Sequence, residues 1–111
     1  MAIERQPTAD VDDRARLAPA AAEAGFEDVL VIERETAKAV LTDKRQELLD
    51  RIRSGGVGSV RGLARSLDRD KAAVSRDLDV LFREDLIEYV ADGNKKRPEL
   101  KHETVLVEPL A

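Results

Sequence analysis

The stretch of sequence that decides the fold is residues 59–83, SVRGLARSLDRDKAAVSRDLDVLFR. Its apolar residues recur at the spacing of two helices that each bury one face. The first set comprises Val60, Leu63, Ala64 and Leu67, and the second comprises Val74, Leu78, Leu81 and Phe82. Between the two sets, Leu67-Asp68-Arg69-Asp70 has the composition of a turn, and Ser59 and Asp70 are suitable N-cap residues. The pattern predicts a short helix, a turn and a longer helix over residues 70–84.

A further helix is predicted before this pair. Thr42 is a suitable N-cap, Leu48, Leu49 and Ile52 share one face with Leu41 and Arg45, and Gly55-Gly56 ends the helix. Val29–Ile32 is a β-branched apolar run and predicts a strand, followed by a helical turn over Thr36–Leu41. A short helix is predicted over Asp13–Ala24, interrupted by Pro19 and stopped by Gly25.

After residue 84 the apolar period changes from 3.6 to 2. Ile87, Tyr89 and Ala91 alternate with Glu88 and Val90. The sequence Asp92-Gly93-Asn94 that follows is typical of a hairpin turn. The return strand passes through a basic stretch to Leu100. Thr104–Val107 predicts a last strand, which we expect to pair antiparallel with the first one, either within one chain or across a dimer.

Three helices followed by a basic hairpin are the layout of a winged helix-turn-helix. We therefore predict an α+β fold with a three-helix core, a β-hairpin wing and an additional pair of N- and C-terminal strands. The predicted division is an N-terminal extension over residues 1–27, partly disordered or forming the short helix, and the winged domain over residues 28–111.

The charge of the chain is distributed unevenly. Net charge is -4 and the pI is about 5.1, which alone argues against a nucleic-acid partner. Residues 51–76, however, contain seven basic and two acidic residues, and residues 92–101 contain four basic and two acidic residues. This asymmetry predicts two positive surfaces on an otherwise acidic chain. The acidic, lysine-poor composition also suggests a halophilic source.

The longer helix has the two faces that DNA recognition needs. One face packs on the core, and the opposite face near the N-terminus presents short or basic side chains to a major groove. Arg76 is the candidate for a bidentate contact with guanine, or alternatively for a phosphate contact without sequence choice. Asp77 is expected either to orient Arg76 or to pair with Arg69. The predicted DNA-contacting residues are Ser59, Arg61, Arg65, Arg69, Lys71, Ala72, Ser75, Arg76, Lys95, Lys96 and Arg97.

From Leu41 to about Pro109 the chain resembles archaeal winged helix-turn-helix regulators of the MarR-like and ArsR-like superfamily, and most of all small DNA-binding proteins of halophilic archaea. The resemblance implies a homodimer that represses or activates transcription. Two positions depart from the pattern: Asp68 stands where the turn usually has glycine, and Gly62 stands where a better helix former is expected. The segments that carry the resemblance are Leu41-Thr42-Asp43-Lys44-Arg45, Ser59-Val60-Arg61-Gly62-Leu63-Ala64-Arg65, Val74-Ser75-Arg76-Asp77-Leu78, Asp85-Leu86-Ile87 and Lys96-Arg97-Pro98.

Other classes of function lack a motif. There is no cysteine and only one histidine, His102, so we expect no metal site, no cofactor and no catalytic role. Gly55-Gly56-Val57-Gly58 is a helix linker rather than a nucleotide loop, because no Lys-Ser/Thr follows. Without a long apolar run or a secretory signal, the chain is expected in the cytoplasm and not in a membrane.

Two alternatives remain open from the sequence. The basic run Arg61–Arg76 and the cluster Lys95–Arg97 are also compatible with solvated surfaces that bind nothing. The chain could instead be a winged-helix protein-interaction module, an adaptor in a transcription or replication assembly, which its acidic N-terminal third would suit. The effector, if one exists, is not indicated by any motif.

Overall fold

The computed structural model describes residues 19–26 and 28–107, and these form two compact units. One unit is Val40–Lys101, and the other contains the described parts of residues 19–39 together with residues 102–107. The predicted domain boundary after residue 27 is not tested by this division and stays a prediction. The acidic N-terminal tail, the start of the predicted helix at Asp13 and the closing Pro109 lie outside the described residues.

Eight elements have defined bounds, and residues 19–23 are also helical. In chain order they are β1 (Val29–Ile32), α1 (Arg34–Val40), α2 (Asp43–Arg53), α3 (Val60–Ser66), α4 (Lys71–Arg83), β2 (Ile87–Asp92), β3 (Lys95–Leu100) and β4 (Thr104–Val107). The three predicted core helices are confirmed as α2, α3 and α4. The helical turn expected at Thr36–Leu41 is α1, which begins two residues earlier. No helix among the described residues is long and apolar enough to cross a membrane.

The three core helices begin at the predicted N-caps. The Thr42 Oγ1 accepts a hydrogen bond from the Arg45 amide at 3.3 Å, and the Ser59 Oγ accepts one from the Gly62 amide at 3.0 Å. The Asp70 carboxylate accepts one from the Ala73 amide at 3.1 Å. Each bond satisfies an amide that has no partner within its helix, so the start of each helix is set by local chemistry.

The core of the Val40–Lys101 unit is aliphatic. Its largest fully buried side chains are Leu48, Leu63, Val74, Leu78, Leu81, Ile87 and Pro98. The prediction that Phe82 belongs to this core is wrong, because its side chain is 46% exposed. Its ring lies beside the core, with its centroid 5.2 Å from that of Tyr89. Leu67, expected on the buried face of α3, is only half-buried.

Helix α3 and the turn after it accommodate both departures from the family pattern. Asp68 has a φ of 52°, the left-handed conformation that aspartate adopts more readily than most residues. At Gly62 a Cβ atom would lie 3.2 Å from the Ser59 Oγ that caps the same helix. Glycine therefore costs helix propensity at position 62 but leaves room for a close N-cap.

The wing is an antiparallel hairpin, as predicted. Strands β2 and β3 pair from Ile87↔Leu100 at the base to Asp92↔Lys95 at the tip. Gly93 and Asn94 form the two-residue connection, and Gly93 has a positive φ of 64°, which such tight hairpin turns require.

The second unit contains a two-stranded sheet of β1 and β4. The strands pair in parallel within one chain, from Val29↔Thr104 to Ile32↔Val107, so the antiparallel prediction is wrong. An all-apolar run gives no signal for strand direction, and parallel pairing requires a long connection, which residues 33–103 provide. At the start of both strands the Asp28 carbonyl accepts a hydrogen bond from the Glu103 amide at 3.2 Å. The His102 Nδ1 lies 2.9 Å from the Asp28 Oδ1.

Candidate nucleic-acid interface

Helix α4 has one face in the core and the opposite face in solvent. Val74, Leu78 and Leu81 are completely buried. Near the N-terminus of the helix, by contrast, Lys71, Ala72 and Arg76 are exposed, and Ser75 is half-buried beside them. These four candidate DNA-contacting side chains therefore share the N-terminal half of one firmly packed helix, which is the arrangement that entry into a major groove requires.

The basic side chains on this surface are not engaged by the protein. Within the described part of the chain, neither Lys71 nor Arg76 forms an ion pair or side-chain hydrogen bond. Arg61 and Arg65 on α3 are exposed, lie one helical turn apart and likewise have no such partner among those residues. These four cations are available to phosphate or base edges without loss of an existing interaction.

Arg69, another candidate contact, is engaged differently. Its NH2 donates to the Asp77 Oδ2 at 2.8 Å, and its side chain is only 11% exposed. Of the two roles expected for Asp77, the structure shows the pair with Arg69. Arg45 of α2 also donates from its Nε to the Asp77 Oδ1 at 3.1 Å. The sequence predicts Arg45 on the α2 stripe but gives no signal for this contact, because nothing local links residues 45 and 77.

The wing has less free positive charge than its sequence suggests. Arg97 pairs with Glu99 at 2.9 Å and with Asp92 at 3.6 Å. Lys96 places its Nζ 4.3 Å from the centroid of the Tyr89 ring, a cation–π contact. Lys95 at the tip is exposed. Lys95 and Lys96 therefore supply most of the available charge of the wing.

Ser59, another predicted DNA-contacting residue, serves the fold as the N-cap of α3. Its hydroxyl oxygen accepts the capping bond from Gly62, and its side chain is half-buried. A hydroxyl has one donor and two acceptor positions, so the capping bond leaves the Ser59 O–H able to donate to a phosphate.

Tyr89 gives a test of the local environment at the base of the wing. Burial, together with the negative charge of Asp79, raises the pKa of the Tyr89 phenol above 10.0. The neutral phenol is favoured by folding, so this contribution to stability is complete below pH 10 and is lost as pH rises through the raised pKa.

Because Tyr89 is the only tyrosine and there is no tryptophan, absorbance at 295 nm reports the ionisation of Tyr89 alone. We expect a titration midpoint above 10.0, lowered in part by Asp79→Asn; a midpoint at or below 10.0 would contradict the described burial.

No group of three or more His, Cys, Asp or Glu side chains that could hold a metal ion occurs among residues 19–26 and 28–107. The candidate site is therefore described by its basic and short polar side chains alone.

A three-helix core followed by an antiparallel hairpin, with the N-terminal half of α4 exposed, defines a winged helix-turn-helix protein. The family model HVO_A0114 matches residues 40–107, more than half of the chain. The chain belongs to the HVO_A0114 family, which is named after a protein of a halophilic archaeon. No curated protein matches the sequence.

Solved structures support the same fold. The homodimeric winged helix-turn-helix DNA-binding domain of Mb0332 from Mycobacterium bovis, a possible ArsR-family regulator, is 20% identical with a TM-score of 0.56; the match covers 86% of this chain and 76% of that one. Reduced HlyU from Vibrio cholerae is 19% identical with a TM-score of 0.55, covering 79% and 82%. A MarR protein from Peptoclostridium difficile is 14% identical with a TM-score of 0.52, covering 90% and 63%. At these identities the likeness establishes the fold.

Proposed function

We propose that the protein is a sequence-specific DNA-binding transcriptional regulator. Helix α4, together with its caps Asp70 and Glu84, enters the major groove. The wing over residues 92–98 contacts the flanking backbone or the minor groove. Ala72, Ser75 and Arg76 contact base edges, and Arg61, Arg65 and Lys71 contact phosphates, with Lys95 and Lys96 adding phosphate contacts from the wing.

One observation carries this proposal: Lys71 and Arg76, exposed and unpaired among the described residues, lie in the N-terminal half of a helix whose opposite face is completely buried. A buried face holds the helix rigidly, and small side chains such as Ala72 let its backbone approach the bases. A cation on a rigid helix can be positioned against one base edge, whereas a cation on a mobile segment gives affinity without sequence choice.

The regulator is proposed to act as a homodimer in the cytoplasm. The family resemblance implies a dimer, and the similar Mb0332 domain is homodimeric. A dimer would place two copies of α4 in major grooves about 34 Å apart, one turn of B-DNA, and would recognise a two-fold symmetric site.

Selection of bound sequences from a random pool of double-stranded DNA tests the proposal. We expect a two-fold symmetric motif, and an affinity for it that falls with salt at a slope of about -0.9 per phosphate contact in log K against log salt. The titration should extend to molar KCl, since the acidic, lysine-poor chain and its family favour a saline cytoplasm. Recovery of no enriched sequence at any salt concentration would contradict sequence-specific binding.

A winged-helix adaptor that binds protein rather than DNA is the second candidate. The net charge of -4 and the neutralisation of Arg97 by Asp92 and Glu99 favour it. An adaptor would bind no DNA even in low salt, where non-specific electrostatic attraction to the duplex is strongest. The lowest-salt point of the titration therefore distinguishes the two functions.

A further inference from the structure

Asp77 joins three parts of the winged unit through one carboxylate. Its two oxygens accept separately from Arg45 of α2 at 3.1 Å and from Arg69 of the turn before α4 at 2.8 Å. The three side chains are 19%, 20% and 11% exposed, respectively, so the cluster is largely withdrawn from water. A second carboxylate on the same helix, Asp79, is exposed and is paired with no cation among the described residues.

The cluster engages Arg69 within the protein. One terminal nitrogen of its guanidinium is bonded to Asp77, and the other, NH1, is buried with no hydrogen-bond partner among the described residues. Arg69 lies two residues before Lys71 on the chain, next to the proposed DNA surface. Without Asp77, a long flexible side chain at this position could reach a phosphate.

The net contribution of this cluster to stability is expected to be small. A buried ion pair loses much of its Coulomb attraction to desolvation, and an unpartnered buried N–H adds a further cost. Charge-assisted hydrogen bonds from two arginines to one carboxylate do, however, restrict the relative positions of the groups that they join. Here it adds a polar contact between α4 and α2 to the apolar packing of the helix that carries Ser75 and Arg76.

We infer that Asp77 is a specificity-determining positioning residue for DNA. Its carboxylate holds Arg69 away from the phosphate backbone and fixes α4, so that tight binding depends on the base contacts of Ser75 and Arg76. This inference rests on the proposed function. It replaces the expected DNA contact of Arg69 with an internal role.

The first experiment compares two charge-removing variants, Arg69→Gln and Arg65→Gln, by salt titration of binding to the selected DNA. Arg69→Gln is expected to keep the wild-type slope, because Arg69 contacts no phosphate. Arg65→Gln, the matched exposed arginine, is expected to lower the slope by about 0.9, the loss of one phosphate contact. A slope lowered by about 0.9 in Arg69→Gln would overturn the inference.

The second experiment removes the carboxylate charge that holds Arg69. Asp77→Asn is expected to steepen the salt slope by about 0.9 and to reduce the ratio of selected to non-selected DNA affinity by roughly tenfold. Asp79→Asn removes the same charge without freeing an arginine, and we expect its slope and its affinity ratio to match the wild type. The double variant Arg69→Gln/Asp77→Asn should return the slope to the wild-type value.

The outcomes separate this inference from the function on which it rests. No DNA binding by the wild-type chain would overturn both. Wild-type binding with an unchanged slope and affinity ratio in folded Asp77→Asn would overturn only the role of Asp77. Circular dichroism establishes whether Asp77→Asn is folded, and if it is not, the slope of Arg69→Gln decides alone.

Discussion

Replacing Leu78 by alanine is expected to lower the free energy of unfolding by about 2–5 kcal/mol. Leu78 is completely buried at the middle of α4, so the substitution removes apolar contacts and leaves a cavity that the neighbouring helices cannot fill. Because small domains are stabilised by only about 5–15 kcal/mol, such a loss would shift the urea midpoint clearly.

Leu49→Ala provides the matched control for this measurement. Leu49 lies on α2 next to the buried Leu48 but is only half-buried itself, so the same change should cost less. Equal urea midpoints for Leu78→Ala and the wild type would show that α4 does not pack on the core as described.

Replacing Arg76 by alanine is expected to weaken binding to the selected DNA by about 1–3 kcal/mol, roughly 5- to 150-fold, without unfolding the protein. Arg76 is exposed and makes no side-chain bond within the described residues, so its removal costs the fold little. Loss of a bidentate guanine contact would weaken binding to the selected sequence much more than binding to unrelated DNA. Fluorescence anisotropy with both DNAs measures the two affinities.

Two further variants identify the contact. Arg76→Lys keeps the positive charge but not the planar guanidinium fork. If Arg76 contacts guanine, this variant should lose the preference for the selected DNA over unrelated DNA while the salt slope stays unchanged. If Arg76 contacts a phosphate, the preference and the slope should both be retained. Arg83→Ala is the control from the other end of α4, where the arginine bonds the carbonyl of Asp79 at 3.4 Å. Wild-type affinity in Arg76→Ala would mean that the DNA-binding face has been misplaced.

The parts of the fold that could be predicted from sequence are those determined by neighbouring residues. The caps at Thr42, Ser59 and Asp70 act over three residues, and the hairpin turn at Gly93 acts over two, so short patterns are sufficient to identify them. The left-handed conformation at Asp68 followed from the same kind of argument, since its side chain tolerates a positive φ.

The features that could not be predicted depend on residues distant in the chain. Phe82 follows Leu81 at the edge of the apolar stripe, and only the position of the packed elements decides that it remains 46% exposed. Asp77 was correctly considered as a partner of Arg69, eight residues away, but its contact with Arg45 spans 32 residues and has no local signal. The DNA-contacting role of each site residue stays a prediction, because sequence and geometry establish exposure and charge but not the bound duplex.

The parallel pairing of β1 with β4 has a consequence for shortened versions of the protein. A fragment that starts at residue 40, where the family match begins, retains Thr104–Val107 but loses the strand to which they bond. The backbone amides and carbonyls of β4 that bond to β1 would then have no partner. They would form an exposed strand edge that can hydrogen-bond with the same edge of another molecule. Self-association of such a fragment through this edge would therefore result from the truncation and would not test the proposed dimer of the intact chain.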